Sequence, residues 1–178
     1  MIAIFLADGF EEIEALTPVD ILRRAGKEVC LVGVTGKVVT GSHGICVTAD
    51  CEIGNMPNAE VEALVLPGGP GHEHLDKCDA LKEMIRDEHK KGTLICAICA
   101  APSILGKMGL LKGRKAICFP GYEPQLLGAD VRMGAQVVED GTFITARGAG
   151  AAAPFGFAIV SHFCGRAAAL KLQESMCY

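Results

Sequence analysis

The chain has no tryptophan and only two tyrosines in 178 residues, so it offers no aromatic platform on which nucleic-acid bases could stack. It also lacks a basic excess. The formal net charge is −4, and basic residues stand together only as pairs such as Arg23-Arg24 and Lys90-Lys91, which excludes the electrostatic footprint of a nucleic-acid partner. No apolar stretch reaches the roughly 18 residues that cross a bilayer; the longest, Gly148 to Val160, is rich in Gly and Ala and carries Pro154. The first residues, Met1-Ile2-Ala3-Ile4-Phe5-Leu6, have no basic segment ahead of them, so they read as a first strand rather than a signal peptide, and the expected location is cytoplasmic. G-x-G-x-x-G, P-loop and G-x-S-x-G patterns are all missing, which leaves nucleotide binding and serine hydrolysis without support. No H-E-x-x-H or zinc-type cysteine spacing exists either. His72-Glu73-His74 therefore reads as a polar surface turn, and neither a metal nor another cofactor is expected.

What is present is half apolar by residue count, a proportion that belongs to globular proteins. The length suits one domain spanning 1–178. Nine cysteines are dispersed along the chain, several inside apolar runs. They are expected to be mostly buried, reduced thiols acting as small hydrophobes.

Strand-like and helix-like segments alternate, which predicts an α/β fold with a mainly parallel sheet covered on both faces. Ile2–Leu6, Val29–Val34, Ala63–Leu66 and Leu94–Ile98 read as strands, with Lys115–Cys118, Gln136–Glu139 and Thr142–Thr145 as later ones. Val38 to Cys51 suggests small strands or a hairpin. Asp8 with Glu11 resembles a capping box, opening a helix that runs toward Arg24, is interrupted at Pro18 and stops at Gly26. Further helices are expected at Ala80–Lys90, Pro102–Lys107 and Ala152–Cys164.

The informative segment is Ala97-Ile98-Cys99-Ala100-Ala101-Pro102. An apolar strand runs directly into a helix that Pro102 opens, since proline suits the first helical turn. A nucleophile on so sharp a turn needs small neighbours two residues away on each side, the need G-x-S-x-G meets in hydrolases; here Ala97 and Ala101 hold those positions. The helix N-terminus would favour a Cys99 thiolate. On spacing alone, Cys99 is equally readable as an inert thiol in a tight loop. A Cys96–Cys99 C-x-x-C redox pair is a weaker option, because Cys96 falls inside the strand. Pro67-Gly68-Gly69-Pro70-Gly71 follows a buried strand, so its N–H groups could form an oxyanion hole or simply a turn. Glu14 shares a helical face with Phe10, Ile13, Thr17 and Ile21, apart from Glu11 and Glu12. A carboxyl held on that face would have a raised pKa and could remain protonated.

Taken together, these segments resemble the ThiJ/PfpI superfamily, specifically the branch of the parkinsonism-associated deglycase and its bacterial ThiJ-type relatives. The resemblance is carried by Asp8 to Glu14, Pro18 to Gly26, Val65 to Gly69, Ala97 to Pro102 and Thr145 to Gly150. It implies a flavodoxin-like three-layer sandwich, a homodimer, Cys99 as the reactive cysteine and Glu14 as its protonated partner. It also implies backbone donors from Gly68, Gly69 and Ala100 beside the reacting oxygen. The implied activity is glyoxalase or deglycase action on a small reactive carbonyl or a glycated adduct. The alternative is an oxidative-stress sensor or redox-regulated chaperone working through oxidation of Cys99. The chain departs from family patterns at Ala100, where the peptidase branch has His; at Phe119, where deglycase relatives can carry His before Pro; at His43, in place of an Arg; and at Pro154, in place of an acid. Without a His base, peptide hydrolysis is disfavoured.

Overall fold

Strand β1 (Ile2–Leu6) is apolar and buried at every position. A strand with no polar face belongs inside a sheet covered on both sides. The computed structural model, which describes residues 1–178, places it there. After β1 come α1 (Glu12–Arg24), β2 (Val29–Gly33), a hairpin of β3 (Val38–Thr40) and β4 (Cys46–Thr48), and β5 (Cys51–Glu52). Then follow β6 (Ala63–Leu66), α2 (His72–Lys77), α3 (Asp79–Lys91), β7 (Leu94–Ile98) and α4 (Pro102–Lys107). The chain closes with β8 (Lys115–Ala116), β9 (Asp130–Val131), β10 (Val137–Asp140), β11 (Phe143–Ala146), α5 (Ala152–Cys164) and α6 (Arg166–Ser175).

Seven strands form one sheet in the order β10-β11-β7-β6-β1-β2-β5. All neighbours are parallel except the β10–β11 pair. Alternation along β1 sends Ile2, Ile4 and Leu6 into an apolar cluster with α1, α5 and α6. Ala3 and Phe5 enter a second cluster with α2, α3 and α4. This is the expected three-layer α/β sandwich. From β1 the chain steps first to β2 on one side, then crosses to β6 on the other. Such a reversal leaves a crevice at the carboxyl ends of the two central strands.

Pro18 does not interrupt α1, which runs unbroken from Glu12 to Arg24. A proline lacks the N–H that would bond the carbonyl four residues back, but packing against α5 offsets that loss. Gly156 lets the helices touch: a Cβ there would meet Ile21 Cδ1 at 2.9 Å and Pro18 Cα at 3.2 Å. Asp8 does not cap α1 either, because its carboxylate accepts the Thr40 N–H at 2.9 Å and the helix begins only at Glu12. The expected strand at Lys115–Cys118 shortens to β8. Helices α2 and α6, short or weakly amphipathic, gave no clear periodic signal. No helix is long and apolar enough to cross a membrane.

Candidate functional site

Strands β6 and β7 lie in register, with Leu66 opposite Ala97, so the chain leaves both at the same sheet edge. Beyond β7, Cys99 adopts φ 64°, a left-handed conformation costing a side-chain-bearing residue on the order of 1–3 kcal/mol. Two hydrogen bonds impose it. The Cys99 N–H donates to the Ala146 carbonyl at 2.9 Å, and the Cys99 carbonyl accepts the Phe119 N–H at 2.7 Å. Pro102 then opens α4.

Beyond β6, Gly68 brings its backbone between Glu14 and Cys99. Its N–H donates to Glu14 Oε2 at 2.9 Å. A Cβ at this position would lie 2.5 Å from Cys99 Cβ and 2.7 Å from Glu14 Oε2, so only glycine fits. Glu14, on α1, is 1% exposed and meets Cys99 across the Gly68 backbone, where each group influences the other's titration. Burial pushes its carboxyl up to about 7, against the opposing hydrogen bonds from Cys99 and Gly68. Burial, followed by the charge of an ionised Glu14, pushes the Cys99 thiol up to about 12, while the N–H groups of Gly69 and Ala100 act on the sulfur in the opposite sense. While Glu14 keeps its proton, the repulsion vanishes and its O–H can donate to sulfur.

The structure thus brings Cys99, Glu14, Gly68, Gly69 and Ala100 together, but redistributes their parts. Gly68 is not a free oxyanion donor, because its N–H holds Glu14. The six-residue α4 is too short to make its dipole the main influence on the thiol; the N–H groups of Gly69 and Ala100 are the donors that lower its value. Cys96, fully buried in β7, has its thiol raised well above the ordinary value by burial and makes no redox pair. Only Cys30, Cys96 and Cys118 are buried among the nine free cysteines, fewer than composition suggested, because Cys46 lies on the hairpin, Cys164 ends α5 and Cys177 follows α6.

A cavity of about 460 Å³ opens over the thiol, lined by Glu14, Gly69, His72, Cys99, Phe119 and Tyr122 among others. Phe119 also walls a neighbouring cavity of about 440 Å³ beside Gln136 and Arg147. His72 is a residue that sequence reasoning misplaced. It is not in a surface turn but heads α2, 7% exposed. Its Nδ1 donates to the Gly69 carbonyl at 2.8 Å and its ring meets Tyr122 edge-on at 5.3 Å. That leaves Nε2 as its free nitrogen, and no hydrogen bond joins it to Cys99. The signal was available: the Gly-rich turn places the next residues at the same sheet edge as Cys99.

Other expectations change as well. His43 does not line the cavity; its Nδ1 lies 2.9 Å from Glu12 Oε2. Glu12 is buried rather than outward-facing. Glu11, Glu12 and His43 each bring one ligand atom within 4.8 Å of the others, but Glu12 already accepts the His43 and Ile45 N–H groups, so the trio is a hydrogen-bonded clasp. Ile13 is 52% exposed, off the apolar face assigned to it. Pro154 lies on α5 beside Phe157, away from Cys99.

Residues 1–162 match the DJ-1/PfpI family. Protein DJ-1 homolog B of Arabidopsis thaliana is 34% identical over 94% of this chain, which spans 39% of that protein's length. A deglycase of Pyrococcus abyssi is 33% identical over 82% of this chain and 89% of its own. The solved structure of oxidized Toxoplasma gondii DJ-1 superposes with a TM-score of 0.94 at 33% identity, covering 99% of this chain and 97% of that one.

Proposed function

The chain belongs to the DJ-1/PfpI family, and from that premise we propose that it is a cysteine-dependent enzyme of glyoxalase or deglycase type, acting on methylglyoxal-like dicarbonyls or their adducts. The observation that carries this reading is the Cys99–Glu14 pair on the floor of an open cavity, between the N–H groups of Gly69 and Ala100. Relatives named deglycases support it. An activated aldehyde needs only a thiolate and one acid–base group. Cys99 sulfur adds to the aldehyde carbon, and the new oxyanion takes the Glu14 proton. The Glu14 carboxylate then removes the C1 hydrogen and returns it at C2, leaving a lactoyl thioester. Water cleaves that thioester to lactate and regenerates the thiol. On a glycated adduct, the C–N or C–S bond breaks first, releasing the amine or thiol and restoring the aldehyde, to which Cys99 adds in the same way. His72 lines the same cavity. Without a hydrogen bond to Cys99 it supplies no protease-type dyad, in keeping with disfavoured peptide hydrolysis.

One relative solved in an oxidized state favours a second reading, a redox sensor or redox-regulated chaperone in which Glu14 and the two N–H groups hold a Cys99 sulfinate. In both readings the chain is one cytoplasmic domain over 1–178 that works as a homodimer. Methylglyoxal consumption, corrected for buffer-catalysed loss, decides between them. The enzyme reading expects turnover that drops at least about 100-fold in Cys99→Ser. Equal loss of methylglyoxal with native and Cys99→Ser protein would leave the sensor.

A further inference from the structure

Two thiols lie together far from the cavity. Cys30 on β2 and Cys51 on β5 have their sulfurs 3.6 Å apart. Their settings differ. Cys30 is buried, while Cys51 is only partly so. Strand β5 has two residues, Cys51 and Glu52, and it pairs with β2 on one side only.

We propose that Cys30 and Cys51 form a redox-active dithiol that hydrogen peroxide converts to a reversible disulfide, a site independent of Cys99. The asymmetry assigns the roles. Cys51, reachable from solvent, gives two electrons to peroxide, becoming a sulfenic acid with release of one water. Cys30 sulfur then attacks the Cys51 sulfur; the S–S bond forms, the S–O bond breaks, and the hydroxyl leaves with the Cys30 proton as a second water. Burial, reinforced by the neighbouring Cys51, pushes the Cys30 thiol up to about 12, which keeps it from meeting peroxide first and reserves it for the adjacent sulfur. A disulfide needs its sulfurs about 2.05 Å apart. The remaining approach is small, and a two-residue edge strand can yield it more readily than a strand paired on both sides. Reduction by an external dithiol returns both thiols.

The experiment uses the folded native chain, with Cys99→Ser beside it to remove oxidation at the cavity. Each is treated with a few equivalents of hydrogen peroxide, blocked with N-ethylmaleimide and digested with trypsin and an endoproteinase that cuts before aspartate. Trypsin isolates Cys30 on residues 28–37, and the cut before Asp50 separates Cys51 from Cys46. The expected product is a 28–37 peptide joined to the one beginning at Asp50, present in both proteins and lost on treatment with dithiothreitol. In Cys30→Ser, Cys51 should accumulate as sulfinate instead. Native protein in which Cys51 reaches sulfinate with Cys30 still maleimide-labelled overturns the proposal. So does native protein in which both remain labelled after Cys99 has oxidised.

Discussion

At neutral pH the Glu14 carboxyl stands at its titration point, about 7, so small changes around it decide whether a negative charge faces the Cys99 sulfur. Glu14→Gln keeps the shape and removes the charge. With no carboxylate opposing the thiolate, Cys99 should alkylate with iodoacetamide along a pH profile displaced to lower pH, while dicarbonyl turnover falls by about 100-fold or more for want of a proton relay. An unshifted alkylation profile would remove Glu14 as the group that sets the thiol. The same residue makes a stability prediction. Its folded value of about 7 lies above the ordinary 4.5, so folding binds a proton between them. The stability this contributes is complete below pH 4.5 and is lost as pH rises through 7. At 1.36 kcal/mol per unit, the loss approaches about 3 kcal/mol. Urea unfolding at pH 5 and pH 8 should show native protein losing more stability across that interval than Glu14→Gln, by up to this amount. Parallel losses in the two proteins would contradict the raised carboxyl.

Among the elements, the β3–β4 hairpin depends most on a distant side chain. A two-stranded hairpin is marginal by itself, and this one is fastened to the start of α1 by Glu12. Glu12 accepts the His43 N–H at 2.7 Å and the Ile45 N–H at 3.4 Å, and meets the His43 ring at 2.9 Å. Burial alone would raise the Glu12 carboxyl, but these bonds together lower it to about 2. The clasp therefore holds above pH 4.5 and is released as pH falls toward 2. Glu12→Ala leaves the hairpin N–H groups unpaired and should cost about 2 kcal/mol. A lowered melting temperature and faster amide exchange over residues 38–48 would register this, with Cys99 alkylation nearly unchanged. Unaltered exchange in the hairpin would show that Glu12 does not hold it. Helical phase had set Glu12 aside as an outward residue. Phase reports which way a side chain leaves its helix, not whether a hairpin from another part of the chain covers it.

At the scale of the whole molecule, Ile13 is the exposed apolar residue on α1, one position from Glu14. In the proposed homodimer a second copy covers this face of α1. Ile13→Glu should then yield monomers at micromolar concentration where the native chain scatters light as a dimer. A native monomer under those conditions refutes the dimer.

Local composition dictates which segments become central strands, because strands buried on both faces must be apolar throughout, as Ile2–Leu6, Ala63–Leu66 and Leu94–Ile98 are. It also determined the elbow at Cys99 and the inward phase of Glu14, since small flanking residues, Pro102 and helical period act within a few residues of the chain. Tertiary structure decided the rest. Pro18 stays helical because α5 packs against it through Gly156. Gly68 spends its N–H on Glu14, 54 residues away. His72 enters the cavity because Gly69 and Tyr122 hold its ring, and Cys30 meets Cys51 because two strands end side by side. These outcomes depend on groups far apart in sequence, and local periodicity carries no information about which distant surface will cover a side chain or claim its hydrogen bond.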